Sequence, residues 1–355
     1  MIGTTLNTGQ GLGNQLFCYV TLRCMALDHG MDFAVLGGDT IANNIHSDCG
    51  LYFMEPLVFG ITEVTNIDGT KRPIQESDFT NRYDEKEDRL FLPNSRHDLK
   101  HGAYITDADE KLLNPTDDTL YMGNMQDEKY YLHHLDEIKE WLKVKPEYDC
   151  QDFVKDNLCV IHLRCSDYLD NPELFLKKSY FIKGMKHMKS INPDMEFMII
   201  TNDVKEAEKI LPGIKAYNFD LATDYAIIKN AKYLLLANSS FTYFPAICNE
   251  NLKYLLAPKY WARHNVSNGY WASEQNIYSG WNYMDQKGRV FTSEECHKEL
   301  EEWKSSSKIY KNRNTRPTGL KLTVYRMISE YKMKKHRLIR LSRGLLRKIR
   351  IKFGV

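Results

Sequence analysis

From residue 158 onward, apolar runs and amphipathic segments alternate with a regular beat. LCVIHLR (158–164) is apolar and partly β-branched, and predicts a strand buried on both faces. SYFIKGMKHMKSI (179–191) sets Phe181, Met185 and Met188 at helical spacing. EFMIITND (196–203) then predicts a strand, VKEAEKIL (204–211) a helix and IKAYNF (214–219) another strand. ATDYAIIKNA (222–231) and SSFTYFPAICNE (239–250) predict helices. The strand KYLLLAN (232–238) separates them and the strand KYLLAP (253–258) follows. Strands alternating with short helices predict βαβ units and a parallel, doubly wound sheet.

The first half is less regular. MIGTTLN (1–7) predicts a short opening strand, GLGNQLFCYVTLRCMALDHG (11–30) a turn and a helix closed by Gly30, and DFAVLG (32–37) the next strand. An irregular acidic stretch runs from about 40 to 118. TLYMGNM (119–125) follows, and then a helix with apolar positions at Leu135, Ile138, Trp141 and Leu142. The pattern predicts an α/β protein of two doubly wound domains facing across a cleft, residues 1–150 and 151–303, with the boundary near 145–157. Beyond 304, TVYRMISEYKMKKHRLIRLSRGLLRKIRIKF (323–353) predicts an amphipathic helix.

A length of 355 residues suits two domains. No segment approaches the roughly 20 apolar residues of a membrane span, and no basic region followed by an apolar run opens the chain, so no signal peptide is expected. The eight cysteines include no C-x-x-C pair, which points to free thiols in a reducing compartment, neither a zinc site nor a disulfide frame. The net charge of +1 hides an asymmetry: residues 304–355 hold 17 of the 48 Lys/Arg and one of the 47 acids, Glu330. The tail therefore carries +16 and the remainder −15, as in a body tethered to something anionic. Apolar residues interleaved with Lys/Arg fit a helix lying on an anionic membrane surface. Nucleic acid is the rival anion, but the acidic body would repel it.

Ligands of an open parallel sheet bind outside the carboxyl ends of its strands. HLRCSDY (162–168) sets His162, Arg164 and Asp167 at one such end, where an Arg164–Asp167 salt bridge is the plain reading. ANSSFTYF (237–244) sets Ser239 and Ser240 at another, where capping alone would account for them. Hydroxyls, free amides and a helix N-terminus also make a phosphate site, and an arginine beside them would suit a diphosphate. TGQGLGNQLF (8–17) is a glycine turn with no following Gly-Lys-Ser/Thr, so it is not a P-loop. Asn14 stands where the dinucleotide fingerprint needs its last glycine.

With these motifs the sequence resembles the α-1,2-fucosyltransferases of glycosyltransferase family 11, and more distantly the wider α-1,2/α-1,6/protein-O-fucosyltransferase group. GLGNQLF (11–17), MGNMQDEKYY (122–131), HLRCSDY (162–168), ITND (200–203), ANSSFTYF (237–244) and LAPKYW (256–261) are similar to family blocks in the same order. The resemblance implies a GT-B fold, two Rossmann-like domains with GDP-fucose in the cleft, inversion at the anomeric centre, and no metal or other cofactor. It implies that Gly11, Gly13 and Asn14 let the backbone approach the sugar nucleotide. Arg164 would hold the departing β-phosphate, and Ser239, Ser240 and the Phe241 amide would complete the diphosphate site. Asp224, whose plain reading is a helix-start dipole partner, would read guanine. His162 and Asp167 are the nearby candidates for a catalytic base. The second arginine of the family's H-x-R-R-x-D-Y motif is Cys165 here, which puts donor affinity in question.

The acceptor implied is a terminal galactoside, which a membrane-bound enzyme would meet as a lipid-linked glycan. The expected setting is the cytoplasmic face of a plasma membrane, in surface polysaccharide or O-antigen synthesis. Trp261 and Trp271 lie in an aromatic-rich loop and offer indole faces for a sugar, with core packing as the alternative reading. Asp107 and Asp109 imitate the D-x-D of metal-dependent glycosyltransferases but sit in an acidic, exposed-looking stretch, and no metal site is expected there. A catalytically silent glycan- or nucleotide-sugar-binding relative, or a transferase of another donor sugar, is the alternative that Cys165 raises.

Overall fold

The computed structural model describes all residues except 8–9, 39–40, 42–50, 170, 172, 268–270, 272–273 and 354–355, and no side chain of Asp167, His336 or 339–353. The first half runs β1 (Ile2–Thr5), α1 (Leu12–His29), β2 (Phe33–Leu36), β3 (Glu63–Thr65), β4 (Lys71–Pro73), β5 (Asn81–Asp84), β6 (Asp88–Leu90), α2 (Arg96–His101), β7 (Ala103–Ile105), α3 (Glu110–Leu113), β8 (Thr119–Met122) and α4 (Leu135–Trp141). Its four-stranded sheet is parallel throughout, in the order β2-β1-β8-β5. The predicted opening strand, helix and next strand are all present, and Gly30 ends α1 at φ 59°, the left-handed cap that glycine adopts freely. Within the stretch expected to be irregular lie β5 and the small antiparallel pairs β3–β4 and β6–β7.

The second half runs β9 (Leu158–Leu163), α5 (Lys178–Ile191), β10 (Glu196–Thr201), α6 (Val204–Ile210), β11 (Lys215–Tyr217), α7 (Leu221–Asn230), β12 (Tyr233–Leu235), α8 (Tyr243–Ile247), β13 (Tyr254–Pro258), β14 (Asn282–Met284) and β15 (Val290–Thr292). Its sheet order is β11-β10-β9-β12-β13-β14-β15, parallel except for the last pair. Relative to β9 the order is third, second, first, fourth, fifth, sixth, the doubly wound Rossmann arrangement. All six β9 residues are buried, which is why LCVIHL reads as an unbroken apolar run. The fold is the two-sheet α/β architecture expected, with β14 and β15 added at one edge.

One core cluster joins the halves. It contains Phe17 and Tyr131 from the first and Tyr225, Tyr243, Phe244 and Trp281 from the second. Phe17 of α1 stacks on Tyr243 at 4.8 Å and meets Phe244 at 4.9 Å. A second cluster fills the opposite face of the large sheet, under Cys159, Ile161, Leu163 and Cys165.

After β15 come α9 (Ser293–Ser306), α10 (Lys308–Lys311) and α11 (Gly319–Phe353). The chain returns to the first half, where Trp303 and Tyr310 pack on Leu90, Leu92, Ala103 and Ile105. The division expected at 303/304 falls inside α9. Among the described residues, no helix is long and apolar enough to cross a membrane.

Candidate functional site

In the large sheet the strand order reverses between β9 and β12, so the crevice expected for a ligand lies beyond their carboxyl ends. His162 lies near the end of β9 and Arg164 just beyond it, and Asn238–Phe241 follow β12. The two ends are tied together: the Ala237 amide donates to the His162 carbonyl at 3.0 Å, and the Tyr168 hydroxyl to the Asn238 carbonyl at 3.2 Å. The first motif thus sits at a switch point for a topological reason.

Strand alternation sorts the residues of β9 between two faces. Leu158 and Val160 belong to the core shared with α1, whereas Cys159, Ile161, Leu163 and Cys165 belong to the opposite one. His162 and Arg164 therefore face the first half, and the His162 ring lies 6.2 Å from the Phe241 ring. Cys165 is fully buried, its amide donates to Asn202 Oδ1 at 2.8 Å, and burial pushes its thiol up to about 12. The sequence suggested that Cys165 removes a cation from the donor pocket. Here its side chain packs in the core on the opposite face of the sheet from His162 and Arg164.

Arg164 is half-buried, its guanidinium 5.7 Å from the centre of the Tyr168 ring. His162 is buried, and burial followed by the Arg164 charge pushes its pKa down to about 3. It is a neutral imidazole, a hydrogen-bonding group far better than a base, with Nδ1 unpartnered among the described residues. Asp167 lies in a short 3-10 turn, Ser166–Tyr168, and its side chain is outside those described.

The stretch expected as one helix from 239 is a 3-10 turn, Ser240–Thr242, followed by the short α8. So short a helix has little dipole of its own. Ser239 makes no side-chain cap, so capping does not account for it. The longer dipole belongs to α1, 18 residues whose first turn seats on this loop and carries no acid. A Cβ on Gly13 would stand 2.3 Å from the carbonyl carbon and oxygen of Ser240 and 2.5 Å from the Phe241 nitrogen. The close approach that Gly13 permits is to the other half's backbone, where a nucleotide contact was expected. Gly11, the N-cap residue of α1, has nothing within 4 Å of a Cβ position among the described residues. Asn14 Oδ1 accepts from Gln126 Nε2 at 3.1 Å, and Gln126 in turn accepts from Asn276 at 3.2 Å.

Asp224 lies one turn into α7, whose N-cap is Asp220. Its Oδ1 is buried with no partner among the described residues, and burial raises the pKa from 3.8 to about 8, opposed in part by the Phe219 amide. An N-terminal dipole role would favour the charged form, so the raised value shows that burial wins. The Phe219 ring stacks on Tyr217 at 5.0 Å, with Phe153 6.0 Å from Tyr217.

Sequence reading gave no role to several groups found around these strand ends. Asn202 Nδ2 and the Tyr225 hydroxyl are buried and unpartnered among the described residues. MGNMQDEKYY is a hub between the halves: Glu128 accepts from the Tyr243 hydroxyl at 2.8 Å and from the Ser279 amide at 2.7 Å. Glu85 accepts from the Asn124 and Met125 amides at 2.9 Å and from Gln275 Nε2 at 2.7 Å. Left-handed backbone at Ser166 (φ 37°), Tyr260 (φ 66°) and Trp261 (φ 40°) also gathers at carboxyl ends of the large sheet, after β9 and β13.

Trp261 and Trp271 do not offer sugar platforms. They are 5% and 0% exposed, Trp261 edge-on to Tyr278 at 5.6 Å and Trp271 edge-on to Tyr283 at 5.0 Å. Both indoles are core residues. Asp107 pairs with Lys304 at 2.6 Å, and Asp109 accepts from the Tyr83 hydroxyl and the Lys86 amide at 2.8 Å. Among the described residues, the grouping able to ligate an ion is Asp28, His133 and His134, which lies by the other end of α1.

No family model matches the chain. It is 24% identical over 169 residues, 42% of its length, to an α-1,2-colitosyltransferase of Escherichia coli, and spans 58% of that protein. Among solved structures, POFUT1 in complex with GDP-fucose aligns over 72% of this chain and 97% of its own, at 10% identity and a TM-score of 0.38. The NodZ α-1,6-fucosyltransferase soaked with GDP-fucose aligns over 82% and 97%, at 10% identity and a TM-score of 0.37. The sequence match is to a sugar transferase that makes an α-1,2 linkage, in keeping with the resemblance its motifs carry.

Proposed function

We propose that the protein is an inverting glycosyltransferase that moves L-fucose from GDP-β-L-fucose to O2 of a terminal galactoside. The observation that carries this reading is the meeting of three features beyond β9 and β12: Arg164, the Ser239–Phe241 turn and the N-terminus of α1. As the fucosyl–oxygen bond breaks, negative charge grows on the β-phosphate. A guanidinium that hydrogen-bonds two oxygens, free amides and a helix N-terminus all stabilise that charge without a metal. The Asp224 carboxyl, with its Oδ1 unpartnered among the described residues, complements the N1–H and exocyclic amine of guanine, and the space that the described residues leave at Gly11 suits a sugar nucleotide. The acceptor hydroxyl attacks from the face opposite the diphosphate and inverts the anomeric centre.

The basic tail supports a peripheral position on the inner face of a plasma membrane, where the galactoside would be lipid-linked, in surface-glycan or O-antigen synthesis. The sequence relative favours a second donor, the GDP derivative of colitose, which is L-fucose without its 3-hydroxyl.

The test is to incubate the protein with GDP-fucose and lactose or N-acetyllactosamine and to assign the product by NMR. An α-1,2-linked fucosyl-galactoside is expected. Another linkage would overturn the regiochemistry, and product from GDP-colitose alone would replace the donor.

A further inference from the structure

Helix α11 is fixed to the body by one face. Ser329 is wholly buried, with Leu322, Tyr325 and Met333 half-buried on the same side. Lys332 Nζ donates to Asn94 at 2.8 Å, and Glu330 pairs with Arg96 at 3.4 Å. The segment leading into the helix is tied down as well. The Asn314 amide donates to the Arg89 carbonyl and the Arg89 amide to Asn314 Oδ1, both at 2.8 Å, and Arg313 pairs with Asp88. The orientation of α11 on the molecule is therefore set, and so is the face it turns away.

That outer face is apolar. Leu320, Met327, Tyr331 and Leu338 are 82%, 67%, 66% and 65% exposed, with Val324 and Ile328 beside them at 43% and 36%. At helical spacing these six positions fall within an arc of about 100°, centred opposite Ser329. A surface helix normally turns such a stripe inward. Here the inward side is taken and the stripe is left in solvent. Lys321 and Lys334 flank it and Lys335 lies within it, all exposed, and Glu330, the sole acid beyond residue 304, is paired with Arg96.

We infer that this stripe is the membrane-contact surface of the protein, lying in the headgroup layer of an anionic bilayer with Leu320, Met327, Tyr331 and Leu338 turned toward the acyl chains. The inference rests on the membrane-surface reading above and assigns it a face. Charge complementarity selects the occupant. Apolar residues between lysines match an anionic interface, whereas a second copy meeting stripe to stripe would bring the same lysines together. Because α11 is locked to α2, and the segment leading into it to β6, the contact also fixes how the body stands on the surface.

The test is co-sedimentation of the full chain with vesicles of phosphatidylcholine alone and of phosphatidylcholine with phosphatidylglycerol, for the wild type, for the charge-neutral Met327→Ser/Tyr331→Ser, and for a chain ending at Thr318. Circular dichroism checks folding, which two outward, exposed side chains should leave intact. The wild type is expected to partition onto the anionic vesicles only. The double variant should bind about tenfold less or weaker, and the shortened chain should not bind. If the double variant bound as well as the wild type while the shortened chain did not, charge alone would hold the membrane and the stripe assignment would fall. If the wild type ignored both vesicles, the membrane reading itself would fall. A wild-type dimer that the double variant dissolves, with vesicle binding unchanged, would give the stripe to a second copy and overturn the inference.

Discussion

At the scale of single residues, Asp224 gives the most specific expectation. Its carboxyl sits near 8 in the folded protein against an ordinary 3.8, raised by burial, so below about pH 8 the free protein holds it protonated. Guanine donates hydrogen bonds and needs the carboxylate. GDP binding at pH 7 should therefore release close to one proton, and affinity should rise by up to about tenfold per pH unit toward pH 8, then flatten. The same shift acts on folding with the opposite sense. A raised acid stabilises the fold fully below about pH 4, and that contribution is lost as pH climbs to about 8. Asp224→Asn should thus weaken GDP binding and remove its pH slope, while raising the Tm of the ligand-free protein at pH 8. Calorimetry in buffers of different ionisation enthalpy checks the proton count, and an unchanged pH slope in the variant would remove Asp224 from the site. His162, Arg164, Ser239 and Ser240 were legible because each ends or follows an apolar strand. Cys165, Trp261 and Trp271 were not: the sequence names a residue type, but the face it takes depends on alternation and on packing partners far along the chain.

At the scale of elements, the decisive contact is α1 against the Ser239–Phe241 turn. Gly11 and Gly13 looked alike in sequence, yet among the described residues Gly13 meets a backbone and Gly11 meets nothing. Gly13→Ala should push α1 off the turn, costing about 1–3 kcal/mol of stability in a urea titration together with most of the turnover. Gly11→Ala, at a φ of −66° that any residue adopts, should leave stability within about 0.5 kcal/mol and act on donor binding instead. Equal stability losses would mean that the two positions are alike after all. The second half was legible strand by strand, since buried parallel strands are continuous apolar runs. The first half hid β5, whose sequence NRYD is mostly exposed, and the small pairs β3–β4 and β6–β7, whose three-residue strands are too short for periodicity to register.

At the scale of the molecule, two halves meet through one aromatic core, and the chain's end crosses back from the second to the first. Lys304 anchors that crossing, pairing with Asp107 at 2.6 Å, Glu274 at 2.8 Å and Glu301 at 3.0 Å. The charge asymmetry in the sequence led to the expectation of a tether but gave it no direction, which depends on which side of α11 the body covers. The candidate site draws residues from both halves, so the proposed activity would report on the whole arrangement. The most direct measurement is GDP formation from GDP-fucose in the presence of EDTA, with and without a galactoside, for the wild type and Arg164→Ala. The account predicts GDP release by the wild type that depends on the sugar, and a loss of about 3 kcal/mol of transition-state stabilisation, roughly a hundredfold in turnover, in the variant. Turnover of Arg164→Ala within a few-fold of the wild type would contradict the phosphate role at the switch point, and no release with any galactoside would contradict the reaction.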